Sequence, residues 1–185
     1  MKLALLAASL VATLACGSAA EPARARIAPE YDTKTGKLQL LKYDSNGNGT
    51  VDTWSYMDGV RILRIEIDAD EDGKLDRWEH YGADQKLEKV GLSPSGDGKA
   101  TRTEWHEQDV LVRAEEDTDE DGRTDKWETY ENGRLTAVAF DTLHRGTPDR
   151  RLIYGPDGSV RVEVDAAGDG RFVASGVSSR PAPRR

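Results

Sequence analysis

One cysteine, two phenylalanines, two methionines and seven prolines are all that 185 residues contain of those types. The single Cys16 lies near the amino terminus, so everything after it has no thiol for a disulfide, a redox centre or a thiolate metal site. So few phenylalanines, with 37% hydrophobic and 32% charged residues, argue against a thick core. After residue 20 no long apolar run occurs. What the chain has instead is four tryptophans, 18 glycines and an excess of acid. Such a composition suits a thin, turn-rich, half-exposed structure, read as one domain or one short repeat array.

The first twenty residues, MKLALLAASLVATLACGSAA, have a basic start at Lys2, an apolar run from Leu3 to Leu14 and small residues after it. That pattern is a signal peptide, too short to span a bilayer as a mature helix. Two endings fit it. Thr13-Leu14-Ala15-Cys16 resembles the lipobox of bacterial lipoproteins, which implies lipidation of Cys16 and membrane anchoring. Gly17 after the cysteine resembles the pattern that directs such proteins to the outer membrane. Alternatively, Ser18-Ala19-Ala20 offers ordinary cleavage after Ala20, releasing the chain to the periplasm or cell surface. Either ending implies export. Residues 21–30 have the composition of a flexible tether, 31–175 form the repeat domain, and 176–185 read as a disordered basic tail.

Without Lys2 there are 34 acidic and 25 basic residues, and the segment Asp44 to Glu128 holds 24 acidic against 11 basic. Such a surface repels nucleic acid and attracts divalent cations.

The acid sits in a repeat. Asp44, Asp68, Ser93, Asp117, Asp141 and Asp165 each open a loop, at spacings of 24, 25, 24, 24 and 24. The loops read DSNGNGTVDTW, DADEDGKLDRW, SPSGDGKATRTEW, DTDEDGRTDKW, DTLHRGTPDRR and DAAGDGRFVAS, with glycine in the sixth place of all six. A glycine there implies a sharp turn at positive φ. Between loops, Leu63-Arg64-Ile65-Glu66-Ile67 and Val160-Arg161-Val162-Glu163-Val164 alternate apolar and polar, as half-buried strands do. One unit is therefore strand, acidic loop, strand, tight turn. Six units predict an all-β antiparallel meander of about ten to twelve strands, in an open or rolled sheet.

Calcium prefers six to eight oxygens, and a twelve-residue loop supplies them from places 1, 3, 5, 9 and 12 plus the carbonyl of place 7. Loop two offers Asp68, Asp70, Asp72, the Lys74 carbonyl, Asp76 and Glu79; loop four offers Asp117, Asp119, Asp121, the Arg123 carbonyl, Asp125 and Glu128. Both resemble the calcium loop of the EF-hand. The flanks here are strands, however, and D-x-D-x-D-G-x-x-D loops also join hairpin strands in integrin-type FG-GAP propellers. A strand need not return the twelfth residue to the ion, which separates Glu79 and Glu128 from the other ligands. Loop one is weaker: Asp44, Asn46, Asn48, the Thr50 carbonyl and Asp52 keep the oxygens with two fewer charges. Loop three, with Ser93, Ser95 and Asp97, reads as carrying a two-residue insertion before Trp105. Loops three, five and six are expected to be metal-free turns. The competing reading, solvated Asp/Asn/Gly turns throughout, is countered by the mutual repulsion of five crowded carboxylates.

Tyr130-Glu131-Asn132-Gly133-Arg134-Leu135 resembles the core of bacterial YD (RHS-type) repeats, which implies β-meander and surface exposure. Trp54, Trp78 and Trp127 share the eleventh place and are expected two strands apart, roughly 9.5 Å at the usual strand spacing. They serve as core, or alternatively as a glycan-stacking row that would bind an envelope polysaccharide. His80, His106 and His144 show no ligand spacing, and no nucleophile motif is present, so the chain reads as a binding or structural protein and not an enzyme. The whole resembles bacterial repeat lipoproteins, with calcium stabilising the hairpin loops and a structural or adhesive role toward other envelope proteins.

Overall fold

The structure, a computed structural model, describes residues 26–178. The signal segment, Cys16 and the end of the basic tail lie outside the described residues. Thirteen strands follow one another in a single antiparallel sheet whose spatial order is the chain order. They are β1 (Ile27–Tyr31), β2 (Leu38–Tyr43), β3 (Thr53–Asp58), β4 (Arg61–Ile67), β5 (Arg77–Tyr81), β6 (Leu87–Leu92), β7 (Arg102–Glu107), β8 (Val110–Glu116), β9 (Lys126–Glu131), β10 (Arg134–Phe140), β11 (Arg150–Tyr154), β12 (Val160–Val164) and β13 (Val173–Ser178). The expected all-β meander is present, and the sheet stays open. Each inner strand leans on its two sequence neighbours, and β1 and β13 on one each. No helix or second sheet among the described residues covers either face.

Two boundaries differ from the sequence reading. Strand β1 occupies residues expected to be tether, and β13 runs to Ser178 and so takes in the start of the expected tail. Both are edge strands. Pro29 in β1 costs the sheet little, because an edge strand has one side that pairs with nothing. The Arg26 carbonyl also accepts the Asp44 N–H at 3.0 Å, so β1 braces the first loop.

Because the chain meanders, all six acidic loops line one edge of the sheet and the tight turns line the other. Five of the six tight-turn hairpins contain a register shift, at Glu30/Tyr31, Tyr56/Met57, His80/Tyr81, Trp105/His106 and Leu135/Ala137. A bulge adds local twist, so its repetition keeps a wide sheet from lying flat.

The pairing puts Ile65, Glu79, Val90, Glu104, Ala114, Glu128 and Val138 opposite one another in turn across one face. Among the described residues Val90, Ala114 and Val138 are the buried apolar ones. With no second layer, side chains of the same face must cover them, and those are long and charged. Arg102 reaches Glu104 at 3.0 Å, Glu116 at 3.0 Å and Glu128 at 2.7 Å. Their aliphatic stems shield the apolar row while the heads stay paired.

The opposite face carries Trp54, Glu66, Trp78, Gly91, Thr103, Glu115 and Trp127 in cross-strand order. Trp54 and Trp78 stand two strands apart, as expected, but Glu66 lies between them. Thr103 holds the place where loop three would supply the next tryptophan, so three strands, β6 to β8, lie between Trp78 and Trp127. Thr103 also corrects the reading of loop three. The Asp117 N–H bonds the Thr101 carbonyl at 2.8 Å just as the Asp141 N–H bonds that of Asp125. Thr101 thus fills the ninth place, and there is no insertion; Trp105 belongs to the next row, where Arg113 stacks on its ring at 3.8 Å.

Val90 is wholly buried. Val90→Ala is expected to lower the unfolding free energy by about 1–2 kcal/mol, two methyl groups' worth of burial. In urea melts the midpoint should fall with an unchanged slope, whereas Val60→Ala, at a position 93% exposed, should leave both alone.

Candidate metal centre

The loops are built by their own aspartates. In loop two Asp68 accepts the Gly73 N–H at 3.0 Å; in loop four Asp117 accepts those of Asp121 at 3.1 Å and Gly122 at 2.8 Å. The same grip recurs in loop six, where Asp165 accepts the N–H groups of Gly168 at 2.7 Å and Gly170 at 2.8 Å. Burial alone would raise the pKa of Asp165, yet these backbone donors hold it below the usual carboxylate range. Asp141 in loop five does likewise with Arg145 and Gly146, and the Arg145 N–H is the largest cause of its lowered pKa. First-place aspartates therefore close loops whether or not the rest of a ligand set is present.

Ninth-place aspartates fasten the start of the loop. Asp76 accepts the Ala69 N–H at 2.7 Å, Asp125 the Thr118 N–H at 3.0 Å, Asp52 the Ser45 N–H at 2.8 Å and Asp149 the Leu143 N–H at 2.8 Å. Third- and fifth-place side chains make short-range turns of the same kind: Asp70 accepts from the Asp72 N–H, Asp72 from Lys74 and Asp121 from Arg123.

The sixth-place glycines all have positive φ, from 81° to 96°. A second left-handed residue stands in the fourth place of every loop: Gly47, Gly96 and Gly168 in three, but Glu71, Glu120 and His144 in the others. Sequence reasoning passed over this place because non-glycine residues hide it. A side chain there costs about 1–2 kcal/mol, so it needs compensation from its surroundings. Glu71 obtains this from loop one, accepting from Asn46 Nδ2 at 2.6 Å and Asn48 Nδ2 at 2.7 Å. Asn46 and Asn48 also turn their amide oxygens to the N–H groups of Asn48 and Thr50. Both oxygens of Asp44 are likewise taken, by the Gly47 and Gly49 N–H groups, and those of Asp52 by Ser45 and Thr53. Loop one is closed by its own hydrogen bonds.

Of the candidate ligands in loop two, Asp68, Asp70 and Asp76 each bring an oxygen within 4.8 Å of the other two. Each uses a single oxygen on the loop backbone, which leaves the other free. Asp68 is only 6% exposed, and its Oδ1 is buried with no hydrogen-bond partner. A buried unpaired carboxylate oxygen is costly unless something cationic meets it. Asp72 is not in this trio; the Lys74 ammonium meets its carboxylate at 3.1 Å and lowers its pKa.

Loop four gathers the equivalent Asp117, Asp119 and Asp125 within the same 4.8 Å. Its oxygens are more fully engaged, since Thr118 donates its hydroxyl as well as its N–H to Asp125 and Asp117 accepts through both oxygens. The two loops match in sequence but differ in the oxygens they leave free.

Glu79 and Glu128 are placed away from the loops, within strands β5 and β9. Glu79 takes Arg77 Nε at 2.7 Å and the Tyr81 hydroxyl at 2.6 Å. Glu128 takes Arg102 at 2.7 Å, Lys126 at 2.9 Å and the Tyr130 hydroxyl at 2.8 Å. Burial on its own would raise the Glu128 pKa, but these donors overcome it and bring it down to about 2. Both glutamates belong to the ion-paired face. The place-seven residues Lys74 and Arg123 give their N–H groups to Asp72 and Asp121.

No protein-family model and no curated protein matches this chain.

Because the folded-state pKa of Glu128 is depressed, its contribution is present above about pH 4.5 and is lost as the pH falls toward about 2. Arg102→Met should reduce stability by about 1.5–3 kcal/mol at neutral pH, the range for hydrogen bonds to charged groups. In acid titrations followed by circular dichroism, the variant should begin to unfold at a higher pH than the wild type. An unchanged acid midpoint would show that Arg102 does not hold Glu128.

Proposed function

We propose that the protein is a calcium-binding repeat protein of the cell envelope, exported through its amino-terminal signal and anchored by lipidated Cys16, in which calcium stiffens a structural β-array. The observation that carries the calcium assignment is the buried, unpartnered Asp68 Oδ1 beside the converging carboxylates of Asp70 and Asp76. Three converging carboxylates, each keeping one oxygen off the loop backbone, form a hard, anionic site that suits calcium, which fills its remaining positions with carbonyls and water. Loop two is the principal site and loop four, through Asp117, Asp119 and Asp125, the weaker one. The role is structural because each loop joins two strands of a sheet with no second layer. An ion that binds only the folded loop stabilises the hairpin by mass action.

Thermal unfolding in calcium and in chelator tests this. The midpoint should rise with calcium, by the equivalent of about 2.7 kcal/mol at a hundredfold excess over the dissociation constant. Asp70→Asn should remove most of the rise while leaving the chelator midpoint close to wild type. A wild-type midpoint that ignores millimolar calcium would rule the proposal out.

A further inference from the structure

The loops touch one another through a repeating register. At two of the five junctions the fourth-place residue of one loop meets the third- and fifth-place side chains of the loop before it. Between loops one and two this contact is closed by hydrogen bonds, Glu71 accepting from Asn46 and Asn48. Between loops four and five the same three places hold Asp119, Asp121 and His144, whose ligand atoms all lie within 4.8 Å of one another.

His144 Nδ1 stands 3.4 Å from Asp119 Oδ2. This is beyond the usual 2.7–3.2 Å of an N–H···O bond, roughly. It matches the separation of neighbouring ligands in a tetrahedral zinc site, about 3.3 Å for bonds of about 2.0–2.1 Å. An open groove of about 210 Å³, lined in part by Asp119, Asp125, Phe140, Asp141 and His144, adjoins it. Imidazole changes the selectivity of the site. An all-oxygen set suits calcium or magnesium, whereas a nitrogen with carboxylates suits zinc and its neighbours. Loop two has no such partner, since the fourth place of loop three is Gly96.

We propose that Asp119, Asp121 and His144 form a second kind of metal site, for a borderline divalent transition metal such as zinc, bridging loops four and five. All three side chains are exposed, so the ion keeps water in its remaining positions and exchanges freely. Bound there, it pins two adjacent hairpins together at the loop edge. The site shares Asp119 with the weaker calcium cluster but does not depend on the calcium reading.

Isothermal titration of the full mature chain with zinc, in calcium-free buffer at neutral pH, tests it. His144→Gly is the variant to use, because glycine occupies the fourth place of three other loops and tolerates the left-handed backbone. One zinc equivalent is expected for the wild type, at least tenfold weaker in His144→Gly and unchanged in Asp70→Asn. Calcium-dependent melting should persist in His144→Gly. Zinc binding that survives His144→Gly, or no zinc binding by the wild type, overturns the proposal. A loss of the calcium shift alone, with zinc binding intact, strikes the calcium reading and leaves this one standing.

Discussion

The grip of an aspartate carboxylate on the backbone of its own loop is the interaction on which this structure depends. Among the described residues no second layer covers the meander, so each strand is held by its neighbours and each hairpin is closed locally. First-place aspartates bond the N–H groups around two left-handed residues, and ninth-place aspartates bond the loop's opening residues. The ninth residue's carbonyl then accepts the first N–H of the next loop, as between Asp52 and Asp68 at 2.9 Å. Loop closure and loop-to-loop spacing thus use the same residues, and the array propagates from unit to unit.

The faces follow from the same constraint. Without a covering layer, apolar residues on one face are roofed by ion-paired side chains, with Arg102 joining Glu104, Glu116 and Glu128 on three different strands. The other face is an alternation of half-buried aromatics with charged and small residues. Arg64 stacks on Tyr56 at 3.7 Å, and Trp78 lies against Gly91, where an added Cβ would sit 3.4 Å from the indole. Few phenylalanines are needed because there is little interior to fill.

Much of this was legible in the sequence, and the exceptions have physical causes. The spacing of 24 and the sixth-place glycine announced the hairpins because both are backbone requirements. Strand β1 escaped because an exposed edge strand with a proline has the composition of a linker. The fourth-place turn escaped because Glu71, Glu120 and His144 conceal what Gly47, Gly96 and Gly168 reveal. Trp105 misled because the sheet admits an aromatic in either of two rows on one face, and the nearest tryptophan is not always the equivalent one. The sequence offers the aspartates of loops two and four as ligands, and each of them also bonds the backbone of its own loop. Turn chemistry and calcium chemistry ask for the same residues, and only the oxygens left over distinguish them.

Those leftover oxygens separate loops two and four. Loop two leaves a buried oxygen of Asp68 unpaired, whereas loop four engages its oxygens more fully and faces His144. In this account a first-place aspartate closes five of the six loops and the Ser93 hydroxyl closes loop three, and metals add to a few. The measurement that tests it most directly is the denaturation midpoint of Asp165→Ala, in the sixth loop where no ion is expected. A clear fall in chelator, equal in size with calcium present, is the predicted result. A midpoint unchanged in chelator would mean that the aspartates are not the closures of the loops, and the account would fail.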